Sequence, residues 1–197
     1  MYVNDFDLNG TVEQVICTYD GDKSYPIALR HYLLRQIPGL EKKYPTYESY
    51  KDQQITDIFS PEQLKNSIRL NASLLETSVF INDGKGHFTR KPLPVEAQFS
   101  PVYAAAIGDY NSDRNLDILL GGNLYNVKPE LGRYDASYGA FLAGDGHGNF
   151  SYIPAKTSGL YLDGEIMDFK EVTTSRGKIL IVARSNDSLQ VFKPLSR

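Results

Sequence analysis

Two stretches decide how this chain is organised: Phe80-Ile81-Asn82-Asp83-Gly84-Lys85-Gly86-His87-Phe88 and Phe141-Leu142-Ala143-Gly144-Asp145-Gly146-His147-Gly148-Asn149-Phe150. Each runs from an apolar segment through Asp-Gly into a second one, which signals a β-hairpin because the turn needs residues tolerant of positive φ. Asp145 lies 62 positions after Asp83, so the two hairpins are copies within an internal repeat. Between them Ala104-Ala105-Ala106-Ile107-Gly108-Asp109 leads through an acidic loop into Ile118-Leu119-Leu120. Gly164-Glu165-Ile166-Met167-Asp168, followed by Ile179-Leu180-Ile181-Val182-Ala183, repeats that arrangement with Asp168 placed 59 positions after Asp109. The period is therefore about sixty residues. A phosphate-cradling glycine loop is a poor reading of these turns, since neither is followed by a helical pattern or closed by a Lys-Ser/Thr pair.

An earlier acidic loop, Asp5-Phe6-Asp7-Leu8-Asn9-Gly10-Thr11-Val12-Glu13, stands 104 positions before Asp109, which is one period plus an excess of 45 residues. The excess lies between Ser24 and Leu75, where the pattern becomes helical. Ser24 reads as a helix cap with Pro26 in the first turn, followed by Ile27, Leu29, Leu33, Leu34 and Ile37, and Pro38-Gly39 bends or ends that helix. A second helical stretch is expected near Tyr47 to Phe59, and Ser60-Pro61-Glu62-Gln63 fits a capping box that opens a third. Elsewhere, short apolar runs separated by Gly, Asn and Asp read as antiparallel strands. The expected fold is mainly β with a helical insertion over 24–75 packed on a sheet edge.

The acidic loops carry the clearest chemistry. From Asp5, oxygen-bearing residues fall at alternate positions: Asp5, Asp7, Asn9, Thr11 and Glu13; from Asp109 they are Asp109, Asn111, Asp113, Asn115 and Asp117. Alternate spacing lets a curled loop turn every second residue inward, and calcium accepts six to eight oxygens from carboxylates, amides and carbonyls in irregular geometry. Each loop brings three carboxylates, Thr11 and Asn115 are placed to give backbone oxygen, and the competing reading is a polar turn in which Asp and Asn satisfy amides. An EF-hand is excluded: its bidentate Glu position is filled by Ile16 and Leu120, and each loop enters a strand after nine residues. In the third copy the alternate positions after Asp168 are Lys170, Val172, Thr174 and Arg176, which make no cation cage.

The pattern Asp-x-Asp-x-Asn-Gly-x-x-Glu at 5–13, Asp-x-Asn-x-Asp-x-x-x-Asp at 109–117 and the Phe-x-x-Asp-Gly-x-Gly-x-Phe hairpin resemble FG-GAP/VCBS repeats, the calcium-loop blades of integrin-alpha-type β-propellers. Tyr19-Asp20-Gly21-Asp22-Lys23-Ser24-Tyr25-Pro26-Ile27-Ala28-Leu29-Arg30 with its continuation to Phe59, and Gly122-Asn123-Leu124-Tyr125-Asn126-Val127-Lys128-Pro129-Glu130, resemble the C-terminal part of bacterial ASPIC/UnbV-type VCBS-repeat proteins. The resemblance implies a partial β-propeller of about three antiparallel blades forming one repeat domain over 1–197: blade one about 1–75 including the insertion, blade two about 76–137, blade three about 138–197. It further implies bound calcium, a segment of a larger exported protein at the cell surface, and remaining blades supplied by the parent chain. Arg114 departs from the glycine usual at the sixth loop position, and Asn9 and Asn111 lower the ligand charge, so the first site is expected to be the stronger.

Composition bounds the partners. The chain has 197 residues, 21 basic and 24 acidic side chains and a net charge of −3, with no basic block to attract nucleic acid or anionic lipid. Its length supports a real core without staples. Cys17 is the lone cysteine, in an apolar run where it reads as a small hydrophobe. No apolar run is long enough for a spanning helix and no signal pattern opens the chain, so the expectation is a cytosolic protein or a segment of a longer exported one.

Catalytic signals are sparse. His87 and His147 sit in hairpin turns and His31 in a helical stretch. Asp20-Gly21-Asp22 reads as a turn before it reads as a carboxylate pair, and Arg133-Tyr134-Asp135 as a loop pin. Two readings remain: a noncatalytic calcium-stabilised segment that binds a protein or a glycan, and a carbohydrate-active enzyme or accessory module with a pocket near Tyr32, Tyr44, Tyr47 and Tyr50. Burial of those rings favours packing, and exposure favours glycan binding.

Overall fold

The computed structural model describes residues 1–129, 131–175 and 177–193. Glu130 in the 122–130 stretch, Arg176 in the third copy of the loop pattern and 194–197 at the end of the third repeat lie outside the described residues. The chain is mainly β, with 37% strand and 15% helix arranged as several small antiparallel sheets, none of them closed. It divides into two compact units, Met1–Leu74 and Leu75–Arg197.

In the first unit, β1 (Tyr2–Asn4) is the central strand between β2 (Glu13–Val15) and β5 (Ile68–Arg69), and β3 (Cys17–Asp20) pairs with β4 (Lys23–Pro26) across a turn at Gly21 and Asp22. Ser24 is thus a strand residue opposite Tyr19 and caps no helix. The first helix, α1 (Arg30–Gln36), starts later, at Leu29, without a side-chain cap. The hairpin accounts for the difference, since the tight turn carries strand pairing through Pro26 before the helix can begin. A 3-10 turn comes next over Pro38–Lys42, where Pro38 ends the α-helical pattern as expected.

Of the stretch from Tyr47 to Phe59 only α2 (Ile55–Ile58) is helical, while α3 (Pro61–Lys65) opens with the expected capping box: the Gln63 amide donates to Ser60 Oγ and the Ser60 amide to Gln63 Oε1. The 24–75 segment therefore holds short helices together with β5 and part of β4. Helices of four to seven residues are too short to hold in isolation. They persist by burying Leu33, Ile37, Tyr44, Tyr50, Ile55, Ile58 and Phe59 against Tyr2, Phe6 and Val15.

In the second unit, β6 (Ser78–Asn82) and β7 (Phe88–Pro92) form one Asp-Gly hairpin. The strands β8 (Val102–Gly108), β9 (Asp117–Gly122), β10 (Ala140–Gly144) and β11 (Phe150–Ile153) form a four-stranded sheet in the order β11-β10-β9-β8. A short helix α4 (Ala155–Ser158) leads to a three-stranded sheet of β12 (Ile166–Thr174), β13 (Gly177–Arg184) and β14 (Gln190–Phe192). The apolar run Ile118-Leu119-Leu120 lies in β9 because both faces of that strand are covered. Leu119 packs with Ile166, Phe169, Leu180 and Val182 on one side, and Ile118 and Leu120 pack with Leu93, Ala97 and Leu142 on the other.

Both Asp-Gly hairpins close through a longer loop than two residues. The Asp83 amide donates to the His87 carbonyl and the Asp145 amide to the Asn149 carbonyl, with the intervening glycines Gly84, Gly86, Gly146 and Gly148 all at positive φ. The third repeat departs further from its expected register. Asp168 sits inside β12 opposite Ala183 at a bulge, and the strand continues to Thr174, so no acidic loop begins there. The chain then turns back at once, pairing Thr174 with Gly177.

Candidate metal centre

The two acidic loops share one backbone code, built from the first, fifth and ninth residues. Asp5 Oδ1 accepts from the Asn9 amide at 3.0 Å and Oδ2 from the Gly10 amide at 2.8 Å. Asp109 does the same to the amides of Asp113 at 3.1 Å and Arg114 at 3.0 Å. Asn9 Oδ1 accepts from the Thr11 amide and Asp113 Oδ1 from the Asn115 amide, each at 2.7 Å. At the ninth position Glu13 Oε2 accepts from the Phe6 amide at 2.8 Å, and Asp117 Oδ2 from the Tyr110 amide at 2.9 Å. The dihedral angles repeat as well: the fourth residues Leu8 and Ser112 have φ of 59° and 65°, and the sixth residues Gly10 and Arg114 have φ of 87° and 73°. Arg114 thus occupies the left-handed position that glycine fills in the first loop, a conformation L residues rarely adopt.

The second residue of each loop anchors it. Phe6 is buried and stacks on Phe59 with ring centroids 4.0 Å apart. Tyr110 meets Phe141 edge-on and its hydroxyl donates to Glu171 Oε1 at 2.6 Å. Burial, followed by that bond to a carboxylate, pushes the Tyr110 hydroxyl well above its ordinary pKa. An anchored second residue fixes the amide that the ninth carboxylate must meet, so ring packing and loop closure support each other.

The loops differ in where their carboxylates converge. Asp5, Asp7 and Glu13 each bring a carboxylate oxygen into a group whose members all lie within 4.8 Å of one another; among the described residues no other group of three acidic, His or Cys ligands gathers so closely. Oxygens on opposite sides of a calcium ion stand about 4.8 Å apart at a Ca–O distance of ~2.4 Å, so the three carboxylates fit around one cation. A hollow of about 200 Å³ lined by Asn9, Thr11, Val12, Glu13 and Gln36 adjoins them. Asp109, Asp113 and Asp117 do not gather in this way. Asp117 is fully buried and spends both oxygens on amides, the second on Gly144 at 3.0 Å, while Asn111 Nδ2 donates to Asp113 Oδ2 at 2.9 Å. The Asn115 amide and then the Asn111 side chain hold the Asp113 carboxyl below the usual carboxylate range. Asn115 and Thr11 both donate their amides within their loops.

The remaining reactive residues are scattered. His87 Nδ1 lies 3.0 Å from Asp83 Oδ2 in an exposed turn, His147 occupies the equivalent turn, and His31 sits on α1 beside Tyr32 and Tyr47. Cys17 is half-buried against the first unit's core, and that burial raises its thiol pKa. Tyr44 and Tyr50 are core residues, with burial pushing the Tyr50 hydroxyl up to about 12, whereas Tyr47 is 52% exposed. No helix among the described residues is long and apolar enough to cross a membrane. Sequence reasoning missed the dual role of Asp117, whose second partner Gly144 comes from a strand 27 positions on and leaves no local signal. Comparison with known proteins finds no matching family model, curated sequence or solved structure.

Proposed function

We propose that this chain is a noncatalytic, calcium-stabilised segment of a blade-built β-propeller-like protein that works outside the cell and binds a protein or a glycan. The observation that carries the reading is the convergence of Asp5, Asp7 and Glu13 on a loop whose backbone code recurs at 109–117. Three carboxylates this close repel one another, and a hard divalent cation with an oxygen preference relieves that repulsion. Asp5, Asp7 and Glu13 would hold it, with Asn9 and the Thr11 backbone completing the shell, and the cation would supply loop rigidity rather than chemistry. The four-stranded sheet over 102–153 crosses the boundary expected near 137/138, because β9 pairs with β10. In this reading that sheet and the one over 166–192 would be two blades, shifted from the expected 76–137 and 138–197, and the 24–75 segment would interrupt another. The remaining blades come from the parent chain.

The test separates metal from scaffold. Asp7 makes no hydrogen bond with another described residue, so Asp7→Asn breaks no bond and, by removing one of three mutually repelling carboxylates, should melt no lower than the wild type in chelator. Calcium at 1 mM should stabilise the wild type by about 0.4–1.4 kcal/mol, for the dissociation constants of 10⁻⁴–10⁻³ M typical of extracellular modules, and the variant far less. Calorimetry showing no shift up to ten millimolar calcium, or an equal shift in Asp7→Asn, would remove the calcium reading.

A second reading, a carbohydrate-active module, is favoured by one feature: an open cleft of about 300 Å³ lined by Ile27, Leu29, Arg30, Tyr47, Tyr50 and Lys51. Oligosaccharide turnover, or glycan-array binding that is equal in the apo and calcium-loaded chain, belongs to the cleft if it is lost in Tyr47→Ala.

A further inference from the structure

At the end of the four-stranded sheet opposite the 109–117 loop, residues 123–125, 131–139 and 159–165 form a second built surface. Asn123 is its hub. It is 2% exposed at φ 81°, and its side chain donates to the carbonyls of Ser137 and Gly164, both at 2.8 Å, and accepts from the Ser137 amide at 3.2 Å. Leu124 and Tyr134 pair across the first connection, Ser100 Oγ donates to the Tyr134 carbonyl at 2.9 Å, and the Leu162 amide donates to the Tyr138 carbonyl at 3.0 Å. These bonds fix loops that carry an unusual concentration of aromatic surface. Tyr138 and Tyr161 stack with centroids 4.7 Å apart and an interplanar angle of 17°, yet about half of each ring stays open to solvent, as does Tyr134.

Asp163 acts on both Tyr125 and Tyr161, and Asp135 and Glu165 act on Tyr125, opposed there by Arg133. Arg184, which donates to the Asp163 carbonyl at 3.2 Å, is paired with Asp187 at 2.9 Å, and Glu165 Oε1 receives the Tyr125 amide at 3.1 Å. Desolvation first, and then the field of Asp163, raise the hydroxyl pKa of Tyr125; desolvation, the Tyr138 hydroxyl and Asp163 raise that of Tyr161. The chain already shows what suits such a place: the Arg133 guanidinium sits 4.9 Å from the centroid of the Tyr125 ring. A cation over an aromatic face near carboxylates gains from the ring quadrupole and from the opposite charge together. Tyrosine and arginine contacts of this kind dominate protein interfaces, and rigid rings lose little entropy on binding.

We propose that this face binds an arginine-bearing segment of a partner protein, with guanidinium groups on Tyr134, Tyr138 and Tyr161 and charge supplied by Asp135 and Asp163. Tyr134, Tyr138 and Tyr161 are each about half exposed, which leaves them open to an extended peptide. It does not depend on calcium, and the experiment is therefore run in chelator, where failure of the metal reading has no effect on it.

The probe is fluorescent, N-acetylated tetra-arginine amide, followed by anisotropy on the full chain, with tetra-glutamate and a neutral maltooligosaccharide as competitors. Saturable binding is expected, weakened roughly three- to thirtyfold in Tyr161→Ala and in the isosteric Asp163→Asn, and unchanged in Tyr19→Ala, an exposed tyrosine elsewhere. Asp163→Asn keeps shape and fold, so a loss there is not a folding defect. Absence of saturable binding at 1 mM probe, equal binding by all variants, or displacement by the saccharide would each overturn the proposal.

Discussion

Replacing Asp117 by alanine tests whether the second acidic loop is held by its own carboxylate or by a cation. Asp117 is fully buried and accepts from two amides, those of Tyr110 at 2.9 Å and Gly144 at 3.0 Å. Alanine leaves the buried Gly144 amide and the part-buried Tyr110 amide without partners, and at about 1–3 kcal/mol per orphan the cost is about 2–6 kcal/mol, with Gly144 carrying the larger share. Asparagine keeps one acceptor oxygen and should cost about half as much. Thermal melting in chelator, with no calcium present, reads the effect. A domain of this size loses roughly 3–6 °C per kcal/mol, so the alanine variant should melt at least about 6 °C lower. Amide exchange gives the local signature, with protection lost at Tyr110 and Gly144. An alanine variant melting within about 2 °C of the wild type in chelator would show that these amides do not need the carboxylate.

Two more outcomes are expected in the same region. Gly144→Ala should destabilise by about 3 kcal/mol or more by chemical denaturation, because an added Cβ would stand 2.1 Å from the Leu116 carbonyl oxygen, a backbone atom and not the end of a flexible side chain. The Asp145 carboxyl is held at about 2, chiefly by the Asn149 side chain and then by the amides of Asn149 and His147. Its folded value lies below the unfolded value of about 3.9, so its stabilisation is present above pH ~4 and is lost as pH falls from there toward 2. Carbon-13 titration of the carboxyl should show Asn149→Ala moving the midpoint upward, and an unmoved midpoint would reject the assignment.

How much of the fold and the loops is legible in the sequence depends on the range of the interactions. The Asp-Gly hairpins, the capping box at Ser60 and the left-handed position at Arg114 are local effects, set by residues within a few positions, and each reads directly from the chain. Ser24 reads as a cap because a serine before a proline and an apolar run suits a helix start equally well. The pairing of Ser24 with Tyr19 across a two-residue turn decides otherwise. The positions after Asp168 read as unable to form a cation cage, but that they are strand and not loop is set by pairing: the strand continues opposite Ile181, Ile179 and Gly177 and has no reason to stop. The aromatic surface at 123–125, 131–139 and 159–165 has no signature, since its tyrosines come from segments more than twenty positions apart and meet through Asn123.

The third position separates the two loops. Both loops satisfy the same amides with residues one, five and nine, so the scaffold itself does not need a cation. In the second loop the third residue, Asn111, donates to Asp113 and stabilises its carboxylate from within the loop. In the first loop the third residue is Asp7, a carboxylate that adds to Asp5 and Glu13 instead of relieving them. Asn111→Asp should therefore convert a self-satisfied polar turn into a loop that wants a cation. In chelator it should melt lower than the wild type, because a donor has become a like charge beside Asp113 and Asp109. Calcium should then raise its melting by more than the wild-type response, since each added carboxylate is a further hard oxygen ligand. An isothermal titration that counts the same number of calcium ions with the same affinity before and after the substitution would mean that the second loop has no geometry for a cation, whatever charge it carries.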